Sequence, residues 1–304
     1  MKNRNVYLAL VLSTFFWGAN FNLGEYVVRT TDPLSAAAWR FLIAGLAMAA
    51  YMLLREGIDW AGLRRNALPL AIMAVIGIFG FNVAFFFGLQ TTSAVNGALI
   101  MTLNPTITVI LTALVIGDAI SWRQILGLAL SMAGVIIVVT GGSVTALLQH
   151  FHFTGGDGLI LVGNLCWATY GVIGKRWIKN LSAMQTTTST MLVGAAAMIA
   201  AGLVAHGGTL PLPAPDSIGA LAAMALFGTV LAYLWWNNGI RHIGPARTAV
   251  FFDLVPIFTM LIAIALGQPV SLAQWVGAIL VISGVLFSSG ALESLHRSPA
   301  PARA

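Results

Sequence analysis

The sequence predicts an all-α integral membrane protein, with ten transmembrane helices arranged as two inverted five-helix repeats. Three observations carry that reading. The 304 residues are 59% hydrophobic and only 8% charged, against about 25% charged in an ordinary soluble domain, and the mean hydropathy is +0.90. Two long stretches, 67–117 and 254–292, contain no Asp, Glu, Lys or Arg. The second half of the chain also repeats the first at an offset of about 150 residues.

Polar surface this scarce does not cover a water-soluble globule, which excludes ordinary cytosolic enzymes and nucleic-acid-binding proteins. The apolar runs are continuous rather than alternating, which excludes a membrane β-barrel. The formal charge of +6 and pI near 10.0 read as Lys and Arg anchoring helix ends, not as a nucleic-acid footprint. The single cysteine, Cys166, lies in an apolar stretch. It allows no internal disulfide and reads as small core filling. Lys2 and Arg4 precede an apolar run that is too long for a signal peptide and lacks a small-residue cleavage site, so it is kept as the first membrane helix.

A crossing needs about 20 apolar residues. Read with turn residues and charges, that length gives spans at 6–28, 35–54, 67–89, 94–116, 122–141, 157–178, 183–206, 217–238, 246–266 and 272–291. With the N-terminus inside, all Lys and Arg fall on the inner side except Arg29 and Arg40. The positive-inside bias then places both termini in the cytoplasm. Glu25 and Arg40 read as paired or snorkelling groups near the outer surface. Trp39, Trp60, Trp122, Trp177 and Trp275 fall near span ends, as interface anchors do.

The repeat is carried by residues that chance matching among apolar positions rarely pairs. Trp17 meets Trp167, Gly88 meets Gly239, Pro105 meets Pro256, and Gly127 and Gly134 meet Gly277 and Gly284. Five spans is an odd number, so the second half enters the membrane from the opposite side. The expected organisation is a first repeat at 1–141, a connecting loop at 142–156, a second repeat at 157–291 and a cytoplasmic tail at 292–304. Inverted repeats are the architecture of many secondary transporters, in which two half-equivalent bundles rock about a central site.

Phe16-Trp17-Gly18-Ala19-Asn20-Phe21 and Trp39-Arg40-Phe41 resemble the first- and second-helix motifs of EamA-type drug/metabolite transporters. The stretch from Leu103-Asn104-Pro105 through Gly117-Asp118 to Gln124-Ile125-Leu126-Gly127 and Gly134-Val135 is similar to that family's repeated signature. Leu254-Val255-Pro256 through Gly267-Gln268 to Gln274-Trp275-Val276-Gly277 and Gly284-Val285 repeats it. The chain departs from the family's usual Gly-Glu at Gly117-Asp118 and Gly267-Gln268. The resemblance covers nearly the whole chain. It implies a central cavity and export of amino acids or other small metabolites across a bacterial inner membrane.

Several residues are candidates for that cavity. Pro105 and Pro256, in mid-span, leave the carbonyls of Met101 and Phe252 without their usual amide donor and can kink the helices. Trp17 and Trp167 also lie in mid-span, with Asn20 and Tyr170 one turn on. Asn82 pairs with Tyr233 and Phe86 with Asn237, each set four apart on one helix face. A few polar groups among aromatics suit a small amphipathic ligand, and the same residues also suit plain helix packing. Asp253, a carboxylate inside a span, is the candidate for proton coupling, for a substrate ammonium, or for a structural pair. No metal or cofactor is expected. His150 and His152 lack a further ligand, and the glycine pairs lack the lysine of a phosphate loop.

The resulting expectation is a secondary transporter exporting mostly neutral metabolites, with amino acids, aromatic ones included, first. Export of other amphipathic metabolites or drugs, or a passive channel, are the alternatives. A phosphate-ester antiporter would need basic residues deep in the bundle, whereas these cluster at span ends. No enzyme is expected, because the core offers one carboxylate, no acid pair and no interior His. The partners are the substrate and the lipid bilayer, with no nucleic acid; a monomer suffices and a homodimer stays open.

Overall fold

The computed structural model describes residues 3–92, 94–140, 154–265 and 272–289, and every regular element among them is helical. In chain order these are α1 (Asn3–Val27), α2 (Pro33–Arg55), the short α3 (Trp60–Arg65), α4 (Ala67–Gly88), α5 (Ala94–Met101), α6 (Asn104–Ile116) and α7 (Trp122–Thr140). Then come α8 (Gly155–Trp177), α9 (Ala183–Ala205), α10 (Pro215–Ile243), α11 (Pro245–Ala249), α12 (Leu254–Ala265) and α13 (Leu272–Ser289). Among the described residues, seven stretches are long and apolar enough to cross a membrane: α1, α2, α4, α8, α9, α10 and the run through α11 into α12. The expected connecting loop 142–156, apart from its last three residues, the tail 292–304, and His150, His152, Gly267 and Gln268 lie outside the described residues.

Local chemistry sets the ends of the long helices. Asp32 accepts from the Ser35 amide ahead of α2, with Pro33 at the first helical position, where its missing N–H costs nothing. Thr154 and Asp157 form a reciprocal capping box at α8, and Ser182 caps α9. Gly117 closes α6 and Gly244 ends α10, both at φ 85, in the left-handed region that a side chain disfavours.

The distribution of polarity is reversed from that of a soluble protein. Leu54, Leu114, Val204 and Leu272 are largely exposed, while Asn82, Asn104, Asn164 and Thr187 are buried. Lipid as solvent imposes this, because the outer surface gains nothing from polar groups and buried ones must find partners inside. Helix pairing follows a regular plan. α1 packs on α10 and α12, and α8 packs on α4 and α6; α2 packs on α9, and α7 on α13. The last pair is the closest. A Cβ on Gly134 would stand 2.5 Å from the Gly277 carbonyl oxygen, and one on Gly284 would stand 2.5 Å from that of Gly127, so backbone meets backbone.

Three expected spans are corrected. The span at 94–116 is not one kinked helix: it breaks at Thr102-Leu103 into α5 and α6. Pro105 becomes the second residue of α6, where a proline is tolerated. The stretch before Pro256 likewise tightens into a 3₁₀ turn at Val250–Asp253 before α12 begins. The eighth span runs to Ile243 rather than 238, and its last turn carries the exposed Arg241 and His242.

The break beside Pro105 is closed by buried amides. Asn164 Nδ2 donates to the Ile100 carbonyl at 2.8 Å, and Asn104 Nδ2 donates to Asn164 Oδ1 at 2.7 Å. Asn164→Leu removes both side-chain bonds, leaving the Ile100 carbonyl with only the Leu103 amide and Asn104 Nδ2 with only its longer 3.3 Å bond to the residue-164 carbonyl. It is expected to lower stability by about 1–3 kcal/mol, read as a lower unfolding temperature of the detergent-solubilised protein.

Candidate substrate cavity

Four helices converge on one aromatic cluster. α1 presents Trp17, Asn20 and Phe21 on one face, and α8 presents Trp167 and Tyr170 one turn apart, as helical spacing requires. The Trp17 ring stacks on Phe252 at 4.9 Å and 17°, meets Trp167 edge-on at 5.4 Å, and lies 4.7 Å from Trp236. Trp167 in turn stacks on Tyr170 at 5.2 Å and 6° and meets Tyr233 at 4.9 Å.

The backbone contributes through two widened helical stretches. Residues Met73–Gly80 of α4 and Leu226–Leu231 of α10 are π-helical. Such turns cluster at functional sites because they redirect backbone and side-chain groups. Here the Gly228 carbonyl accepts the Trp17 indole N–H at 2.9 Å, and the Thr229 hydroxyl accepts Arg40 Nε at 2.9 Å. The two stretches also match in packing: Gly228 abuts the Asn20 amide, and Gly77 abuts Tyr170.

Between these groups lies a cavity of about 20 Å³, lined by Trp17, Asn20, Phe21, Arg40, Phe81, Phe85, Met101, Trp167, Tyr233 and Phe252. That is room for about one water, so the rings have closed on one another. A smaller gap beside Asn104, Thr108, Trp167, Trp236 and Pro245 shares Pro245 with a recess of about 410 Å³ that also includes Thr112, Asp118, Arg123 and Arg247.

Six of the expected residues therefore line one cavity: Trp17, Asn20, Met101, Trp167, Tyr233 and Phe252. Four do not. Asn82 sits behind the cavity, accepting from Arg40 Nη1 at 3.4 Å and donating to the Ile78 carbonyl at 2.9 Å. Phe86 is fully buried, its ring 5.9 Å from the Arg40 guanidinium. Tyr170 lies beneath Trp167, its hydroxyl accepting from Asn237 at 2.8 Å. Asn237 also donates to Thr187 at 2.7 Å and lines a separate recess of about 250 Å³ with Thr186, Lys175 and Arg241. Asp253 is buried but absent from the cavity lining. Its carboxyl faces Ser131 of α7, with Oδ1 lacking a hydrogen-bond partner. Pro105 and Pro256 shape the breaks described above without lining the cavity.

Arg40 is the main correction. Expected as a paired or snorkelling group near the outer surface, it is 2% exposed and hydrogen-bonded to the neutral Thr229 and Asn82. Its place beside Phe41 in the Trp-Arg-Phe motif was the available signal. Trp236, Phe81, Phe85 and Thr229 were also missed. Gly77 and Gly228, at the repeat offset, carried the only trace of the π-helical stretches.

The model of the EamA-like transporter family matches twice, over residues 4–140 and 154–290. Among curated relatives, the "Uncharacterized transporter YyaM" of Bacillus subtilis is 44% identical over 294 residues, covering 96% of each chain. The "Uncharacterized inner membrane transporter YedA" of Escherichia coli K12 is 27% identical over 93% of this chain and 90% of that one. A crystal structure at 18% identity has the same fold, with a TM-score of 0.77 over 97% of this chain and 99% of the other.

Proposed function

The chain belongs to the EamA-like transporter family, and on that premise we propose that it is a secondary transporter exporting small, mostly neutral metabolites, with amino acids, aromatic ones included, as the leading class. The observation that carries the reading is the aromatic cavity built around Trp17 and Trp167, with Asn20 as a polar contact. An apolar wall with few polar groups suits a small amphipathic solute. Its present volume admits none, so passage requires the helices to part.

In this reading ten spans form two inverted repeats, at 1–141 and 157–291, that rock about the cavity. The pairing of α2 with α9 and of α7 with α13, and the likeness of α1 on α10 to α8 on α4, support that symmetry. The protein resides in a bacterial inner membrane with both termini cytoplasmic, works as a monomer, and uses no cofactor. Coupling falls to Asp253, outside the cavity wall, and Asp253→Asn then flattens the pH dependence of transport.

The test is counterflow of labelled aromatic, aliphatic, hydroxylated and charged amino acids in proteoliposomes. Accumulation of a neutral or aromatic subset, competed by unlabelled solute, is expected. Flux without saturation or counterflow would replace the carrier with a pore. No signal from folded protein would move the substrate outside amino acids.

A further inference from the structure

We infer that the central cavity recognises its solute by a carboxylate, held by Arg40. The inference rests on the transporter reading and narrows its substrate class to carboxylates borne on an apolar body. Arg40 is the eighth residue of α2, about 10 Å inside the helix start, and it lines the cavity while almost wholly buried.

Among the described residues, no acidic group pairs with it. Of the nine acidic residues in the sequence, only Glu293 lies outside the described residues. Among the rest, Glu25 pairs with Arg29, Asp32 lies near His206, Asp157 receives the Thr92 hydroxyl, and Asp253 faces Ser131. The hydrogen-bond partners of Arg40 among the described residues, Thr229 and Asn82, are neutral. An intramembrane cation is costly and ordinarily paired, and it marks a substrate or ion path. The planar guanidinium matches a carboxylate in a two-bond fork. A doubly charged phosphate would call for a second cation, and the cavity wall has no other. The adjoining rings of Trp17, Trp167 and Tyr233 supply the surface for the apolar body, and Asn20 a further polar contact.

The test compares three probes of one shape, 3-phenylpropionate, its amide, and 2-phenylethylamine, by quenching of tryptophan fluorescence in the purified full-length protein. The acid is expected to bind about tenfold tighter than the amide, and the amine not measurably. Arg40→Gln should weaken the acid about tenfold while leaving the amide within about threefold, and Arg40→Lys should retain part of the preference. Equal binding of acid and amide, or no binding of the acid, overturns the inference, and this comparison uses the unmodified protein, so it survives a variant that fails to fold. An Arg40→Gln protein that is less stable yet keeps the acid preference also overturns it, because Arg40 is then a structural cation. Acid binding without amino-acid counterflow would discard amino-acid export and leave Arg40 as the carboxylate site. Counterflow without acid preference would do the reverse.

Discussion

Gly134→Leu is expected to leave little folded protein, and Gly134→Ala to lower stability by about 1–3 kcal/mol. The seam between α7 and α13 has no room for a side chain at this point. A Cβ there would meet the Gly277 carbonyl oxygen at 2.5 Å and the Val281 amide nitrogen at 2.7 Å. These are backbone atoms, so relief requires one helix to move. Lipid tails give apolar side chains no reason to leave the surface, and close approach of small residues therefore supplies much of the association. Gly219→Leu is the control, because nothing lies within 4 Å of a Cβ at that helical position. Size-exclusion profiles of detergent extracts measure the outcome. Equal behaviour of the two leucine variants would mean that the seam contributes little.

Trp167→Ala is expected to produce the second large effect, a loss of about 3–5 kcal/mol together with weakened transport. Its ring meets Trp17 at 5.4 Å, Tyr170 at 5.2 Å, Tyr233 at 4.9 Å and Phe81 at 5.5 Å. Few residues join so many elements: these partners stand on α1, α4, α8 and α10. Trp167→Phe should recover most of the stability, and Trp122→Ala, at a residue 61% exposed, should cost little. Unfolding temperature reads the packing loss, and KM against kcat in counterflow reads the cavity. A drop in yield with unchanged KM would make Trp167 a packing residue only.

The membrane character and most helix positions were legible because lipid imposes a length on every crossing. The repeat made Trp17 and Trp167 legible as a pair, and both line the cavity. The break at Thr102-Leu103 was not, although Pro105 pointed to it. A proline inside an apolar run suggests a kink, yet it equally opens a new helix when the two preceding residues turn. Arg40 was misread for a different reason. Counting charges by side treats every arginine as a loop residue, and burial of one depends on Thr229, far away in sequence. The π-helical stretches in α4 and α10 left almost no signal, because their composition is that of any apolar helix. Asn237 was placed with the cavity by its spacing from Tyr233, but a polar network with Tyr170 and Thr187 turns it toward another recess.

The distance along the chain between Arg40 and Thr229 also has a consequence in time. The two are 189 positions apart, and the bond from Trp17 to Gly228 spans 211. At about 5–20 residues per second, a ribosome takes roughly 10–40 s to reach Thr229 after making Arg40. Through that interval α2 holds a cation of whose two hydrogen-bond partners only Asn82, by a 3.4 Å contact, has yet been made. The first half of the chain is therefore an unfinished product while the second is being translated. A nascent protein stalled before α10 should be held by the insertion machinery or degraded rather than released as a stable half.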